Sequence, residues 1–213
     1  KSSPEGPIID GAPRAFSDAM KMLDNWKYTE DDHETDLGKP SEWGPDCILV
    51  LDSLSRLCDA AYDFRIPLTP RGKGGEFDGR AVYGDAQDAV ENCLANLTSR
   101  NFRTNVIVIA HGQYMEMNDG QKKIFPQAVG AKLSPKIPQY FPSYVRYTNR
   151  GGKRTIQLES DGMIDLANPK PFAFAGKTLP IETGLADFFA VLREPPRVGP
   201  KAVEKPKLTL KRM

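Results

Sequence analysis

The sequence lacks the features that mark several specialised classes of protein. Its longest apolar runs span five residues, whereas a helix that crosses a bilayer needs about 20, and no secretory signal opens the chain. Three scattered cysteines, Cys47, Cys58 and Cys93, suggest neither a disulfide framework nor a metal site, so we expect reduced thiols on apolar faces. A net charge of +1 argues against a chain that binds polyanions over its whole surface. We therefore expect a cytoplasmic protein without a membrane partner.

The composition is that of an ordinary globular domain. With 213 residues, of which 39% are hydrophobic, the chain is long enough for one sizeable core. We expect an N-terminal loop over residues 1–14, a core over 15–194 and a basic flexible tail over 195–213. The tail has two interpretations: it touches nucleic acid, or it keeps the protein soluble as a disordered terminus.

One stretch organises the sequence. The apolar run Cys47–Leu51 ends in Asp52 and Ser53, and such a run predicts a strand that is buried on both faces of a parallel sheet. Ligands of open α/β sheets bind at the carboxyl ends of the strands. Asp52 and Ser53 are therefore predicted to lie where a ligand would bind.

A second apolar strand ends in the same way. Asn105–Ala110 is followed by His111, Gly112 and Gln113, and the amphipathic pattern of Arg80–Asn101 predicts a long helix before it. Because a strand, a helix and a second strand normally form a parallel crossover, Asp52 and His111 should lie at the same sheet edge.

The remaining segments are assigned by periodicity and by turn residues. Helices are expected over Ala15–Trp26, Leu54–Phe64 and Pro180–Leu192, with a short one over Ala131–Tyr140 inside a long loop from Gln113 to Pro142. Tyr28–Gly44 is expected to be an acidic surface insertion. Asn149–Gly152 lies between two short β-type segments and predicts a hairpin at the far edge of the sheet.

The order of these motifs resembles the phage and prophage RecA-like AAA-type ATPases of single-strand annealing and recombination. The resemblance covers residues 15–192 and rests on four segments. They are Ile48–Ser55 as Walker B, Arg80–Gly84 at the start of a helix, Asn105–His111 as the sensor strand, and Pro126–Leu133 followed by Phe141–Arg146. It implies an α/β fold: a RecA-like P-loop NTPase core with a mainly parallel sheet, flanking helices and an antiparallel edge hairpin.

The resemblance also implies roles for individual residues. Asp52 would hold Mg²⁺ of bound ATP through water with help from Ser53, while His111 and Gln113 would sense the γ-phosphate. Lys132 and Arg146, and by position Lys136 and Arg154, are candidates for the cation that acts on the phosphate of a neighbouring subunit. Purely structural roles also stay open for these residues. Asp52 and Ser53 could cap a helix N-terminus, His111 could be a hydrogen-bonded strand end, and the cations could be solvated side chains.

The resemblance further implies partners. The segment from Gly112 to Pro126 corresponds to a mobile DNA-binding loop, in which Tyr114 and Phe125 would stack on bases of single-stranded DNA and Lys122 and Lys123 would contact phosphates. A surface loop without a ligand would have the same composition. Self-assembly into a ring or filament and location in the bacterial host cytoplasm, if the gene is phage-encoded, are also implied.

One motif of that family is missing. No G-x-x-x-x-G-K-[ST] occurs in the 213 residues, and the one Gly-Lys-Thr, at 176–178, lies at the wrong end of the chain. Three functions therefore stay open: an ATPase whose Walker A lies upstream of Lys1, a catalytically silent structural or interaction subunit of the same fold, and a metal-dependent hydrolase or nuclease using Asp52, Asp46 and the acidic segment.

Overall fold

The computed structural model describes residues 13–72, 75, 78–174 and 178–194. The described residues up to Tyr144, together with Ser160–Asp165, form one compact unit. Val145–Glu159 and the described residues from Leu166 onward form a second. Most of the predicted N-terminal loop and the whole basic tail lie outside the described residues.

The first unit contains the three helices that the sequence predicted. They are α1 (Ala15–Asp24), α2 (Leu54–Arg65) and α3 (Gly79–Leu97). The side chain of Asp78 begins α3 by accepting from the backbone N–H groups of Arg80 and Ala81 at 3.0 and 3.2 Å. All three helices contribute to one apolar core, which includes Phe16, Leu54 and Leu94.

The central strands are parallel neighbours, as predicted. β3 (Ile48–Asp52) pairs with β4 (Asn105–Ile109) in a register that places Asp52 opposite Ile109. Two further antiparallel hairpins complete the strands of this unit among the described residues. They are β1 (Lys27–Glu30) with β2 (His33–Asp36), and β5 (Gly112–Glu116) with β6 (Lys122–Pro126).

The prediction that the central strand is buried on both faces is wrong. Leu49 and Leu51 pack on the core, but Ile48 and Val50 are 44% and 50% exposed. No described element covers this outer face, and β4 shows the same feature at Ile109. The parallel sheet of the described residues therefore has only two strands, with helices packed on one of its faces. It is not the mainly parallel sheet, covered on both faces, that the sequence predicted.

The long segment after β4 is more regular than predicted. Its first part forms the β5–β6 hairpin instead of a loop. The short helix predicted over Ala131–Tyr140 is present as a 3₁₀ helix over Ser134–Tyr140. Cross-strand pairs such as Tyr114 with Ile124 account for the difference, because they give the segment a buried apolar position that turn composition alone conceals.

The second unit is built on the predicted hairpin. β7 (Arg146–Arg150) and β8 (Lys153–Gln157) flank Gly151 and Gly152, whose φ values of 58° and 81° fit the left-handed turn that such a hairpin needs. β9 (Thr178–Pro180) pairs with β8, and α4 (Ile181–Arg193) packs Phe188 against Ile156 and Leu158. These strands form a separate antiparallel sheet rather than extending the parallel pair.

The cysteines divide into two kinds. Cys58 and Cys93 are buried core thiols, as predicted, and burial raises the pKa of each to about 11. Cys47 is exposed, which corrects its assignment to an apolar face. Among the described residues, no helix has both the length and the apolar composition of a membrane span.

Candidate functional site

Asp52 and Ser53 lie at the carboxyl end of β3, where α2 begins. The peptide bond between them is cis, and the Ser53 hydroxyl accepts from the backbone N–H of Arg56 at 3.3 Å, which confirms that Ser53 caps the helix. Asp52 is exposed and has no side-chain hydrogen bond or ion pair with any described residue. Its carboxylate is therefore available to a ligand.

His111 lies at the same edge because β4 ends beside Asp52. Its backbone, rather than its exposed imidazole, is firmly held. The His111 N–H donates to the Ser55 hydroxyl at 3.1 Å, that hydroxyl donates to the Gln127 carbonyl at 3.1 Å, and the Gln127 N–H donates to the His111 carbonyl at 2.7 Å. This closed ring of three hydrogen bonds joins α2, the end of β4 and the residue after β6.

Gln113 does not project freely from the strand end. Its side-chain amide donates to the hydroxyl of Ser134 at 2.6 Å, and Ser134 is fully buried at the start of the 3₁₀ helix. The side chain therefore anchors β5 to that helix. Lys132, two residues before Ser134, is exposed in the preceding turn.

The four residues predicted to bind DNA lie on the β5–β6 hairpin, on its two faces. Cross-strand pairing places Tyr114 on the same face as Lys122, and Phe125 on the same face as Lys123. Lys123 forms an ion pair with Asp165 at 2.6 Å. Ile124, on the same face as Tyr114 and Lys122, is buried, but Tyr114 is 64% exposed and Lys122 is also exposed, so these two side chains could meet a base and a phosphate.

The other candidate cations have different surroundings. Arg146 belongs to the second unit, at the start of β7. Lys136 contacts Glu91 at 2.9 Å, and this hydrogen bond and the charge of Glu91 raise the pKa of Lys136. Arg154 faces Glu182 at 3.7 Å.

The acidic segment does not assemble a metal site. Its acids lie on the exposed β1–β2 hairpin, while Asp46 precedes β3 at the end opposite to Asp52. Within the described ranges, no group of three or more His, Cys, Asp or Glu side chains could hold a metal ion. The arrangement gives no support to a hydrolase built on these acids.

Two positioning residues were given no role by the sequence. Ser55 closes the ring at His111, and the Gln87 amide donates to the Val129 carbonyl at 3.1 Å. Their partners lie up to 72 residues away in the sequence, so no local pattern could have identified them.

One oxygen group at this edge is free to bind a metal ion: the Asp52 carboxylate, a kind of ligand that Mg²⁺ prefers. The Ser53 hydroxyl is buried and already caps α2. No described loop has the Gly-rich form, running from a strand into a helix, that cradles phosphates.

The comparisons leave the chain without an identified family. No protein-family model, no curated protein and no solved structure matches it.

Proposed function

We propose that this chain is the Walker B part of a RecA-like ATPase that binds single-stranded DNA in phage recombination or annealing. The observation that carries the proposal is the juxtaposition of Asp52 and His111 at the carboxyl edge of adjacent parallel strands, with α2 starting between them in sequence. This is the edge at which α/β sheets bind ligands.

Within the proposal, Asp52 and Ser53 hold Mg²⁺ of ATP, which supplies neutralisation of phosphate charge. His111 presents its imidazole beside that position while Ser55 fixes its backbone. Lys132 and Arg146 remain candidates for the cation that acts across a subunit boundary. The proposal also requires a phosphate loop, which the 213 residues do not contain.

The exposed side chains of Tyr114 and Lys122 on the β5–β6 hairpin are the proposed DNA contact. Tyr114 offers a ring for base stacking and Lys122 a charge for phosphate, whereas Lys123 is already paired with Asp165. The hairpin is linked to the nucleotide edge through the ring of hydrogen bonds at His111. Nucleotide binding could therefore change the position of the hairpin.

A second candidate function is a catalytically silent structural or interaction subunit. The exposed Ile48, Val50 and Ile109 favour it, because parallel sheets are usually covered on both faces. A subunit of this kind would bury these residues against a partner and would not need nucleotide.

Nucleotide binding separates the two candidates. We expect the full-length protein to bind a fluorescent ATP analogue in the presence of Mg²⁺, and Asp52→Asn to weaken that binding about tenfold or more, since one charged ligand of the ion is lost. Asp46→Asn, at the opposite end of the same strand, is the matched control and should bind as the wild type does. Absence of Mg²⁺-dependent binding, or equal affinity in both variants, would favour the silent subunit.

A further inference from the structure

The β1–β2 hairpin is an unsupported projection of the first unit. Its two strands pair only with each other among the described strands, and seven of their eight residues are exposed. An isolated two-stranded hairpin is marginally stable in water. A hairpin of this kind gains stability when it packs against another surface.

The hairpin is strongly acidic at its tip. Asp31 and Asp32 have φ values of 48° and 61°, as in the left-handed turns of two-residue hairpins. Lys27 pairs with Asp36 at 2.8 Å and lies 3.6 Å from Glu34, at the base of the hairpin. No described cation pairs with Glu30, Asp31 or Asp32.

The same unit contains a cavity of about 1030 Å³ with the opposite charge. Its walls come from α1, α3, the end of α2 and the segments that precede β3 and β4. Four cations line it: Lys39, Arg65, Arg100 and Arg103. Asp24 and Glu42 are its acids, yet none of the four cations forms an ion pair with a described residue.

One buried hydrogen-bond donor of the cavity lacks an acceptor. The Nε atom of Arg65 is buried and has no hydrogen-bond partner in the described part of the chain, although the guanidinium lies 5.9 Å from the centre of the Phe64 ring. A buried donor without an acceptor costs about 1–3 kcal/mol. Apolar side chains, including Phe16, Met20 and Leu23, line the same space.

We propose that the acidic hairpin of a second copy of this chain inserts into this cavity. Its carboxylates would meet the unpaired cations, and the exposed Tyr28 ring would meet the apolar lining. The hairpin begins three residues after α1, which itself lines the cavity, so hairpin and cavity are neighbours on one copy. A two-fold axis can then place each hairpin in the partner's cavity. This assembly does not depend on the proposed nucleotide site.

A charge-swap experiment tests this pairing. Glu30→Lys with Glu34→Lys removes the net negative charge of the hairpin and keeps the two turn aspartates, and Arg100→Glu with Arg103→Glu reverses the charge of the cavity rim at exposed positions. Sedimentation equilibrium without nucleotide should give about twice the chain mass of 23.6 kDa for the wild type and a single chain mass for each variant. An equimolar mixture of the two variants should restore the doubled mass, because the acidic hairpin of the cavity variant then meets the unchanged cationic cavity of the hairpin variant.

The matched control adds the same charge elsewhere. Glu116→Lys with Asp187→Lys, both exposed and outside the β1–β2 hairpin and the cavity, should keep the wild-type mass. Circular dichroism of every variant checks that the fold is retained. A wild type that stays monomeric at about 100 μM, far above the Kd of a specific interface, would overturn the pairing. It would also be overturned if only the cavity variant dissociates, since the cavity would then take a different occupant, or if the mixture stays monomeric.

Discussion

The Ser55 hydroxyl is the polar group that joins three separate segments of the first unit. It accepts from the His111 N–H and donates to the Gln127 carbonyl, and its side chain is almost fully buried. Both hydrogen bonds are partly buried, and removal of the hydroxyl would leave each backbone group without its protein partner. The position of His111 at the sheet edge therefore depends on a residue that has no predicted contact with a ligand.

Replacing Ser55 should be more costly than replacing an ordinary serine. We expect Ser55→Ala to lower the free energy of unfolding by about 1–3 kcal/mol, because it leaves a partly buried donor and a partly buried acceptor without their protein partner. Denaturant titration followed by circular dichroism measures the change. Ser99→Ala, in the turn after α3, is the control and should stay within about 0.5 kcal/mol of the wild type.

At this scale the sequence predicts some contacts and not others. The cap at Ser53 follows from its place between a strand and a helix, and the structure confirms it. The partners of Ser55, Gln87 and Gln113 are side chains or carbonyls that become neighbours only through tertiary folding. Periodicity and turn chemistry contain no information about such pairs.

In the segment after β6, the backbone conformation depends on a single glycine, Gly130. Gly130 has a φ of 70°, and a Cβ added there would lie 2.0 Å from the Gln87 amide nitrogen. The Gln87 amide is the group that holds the Val129 carbonyl. A side chain at residue 130 would both strain the backbone and displace this hydrogen bond.

Two glycine substitutions should therefore change the free energy of unfolding in opposite directions. Gly130→Ala should destabilise the protein by about 1–3 kcal/mol, from the left-handed backbone and the displaced Gln87. Gly84→Ala, inside α3 with nothing near the added Cβ, should stabilise it by about 0.5–1 kcal/mol. Thermal unfolding of the two variants beside the wild type measures both effects. Equal shifts in the same direction would contradict this explanation.

The elements themselves were largely predictable, and their burial was not. The 3.6-residue pattern located α1, α2, α3 and α4 to within a few residues at most ends. The burial of β3 could not be predicted from its sequence. The strand has no polar residue at alternate positions, so nothing in the pattern indicates that Ile48 and Val50 face outward. Whether another element packs on a strand face depends on the tertiary fold or on a partner protein, and the sequence of the strand does not contain that information.

For the molecule as a whole, the proposed function requires that nucleotide at the Asp52 edge controls the β5–β6 hairpin, the proposed DNA contact. The two sites are connected through the hydrogen-bonded ring at His111, which joins the end of β4 to the segment after β6. Binding at one site should then change affinity at the other by the same factor in both directions.

The most direct measurement is the affinity of the full-length protein for a labelled oligo-dT, followed by anisotropy with and without a non-hydrolysable ATP analogue and Mg²⁺. We expect nucleotide to raise this affinity about fivefold or more, and Asp52→Asn to abolish the increase while leaving the nucleotide-free affinity unchanged. Lys122→Glu should lower DNA affinity in both states because it reverses the charge of a proposed phosphate contact. An affinity that is the same with and without nucleotide would show that the Asp52 edge and the hairpin are not coupled.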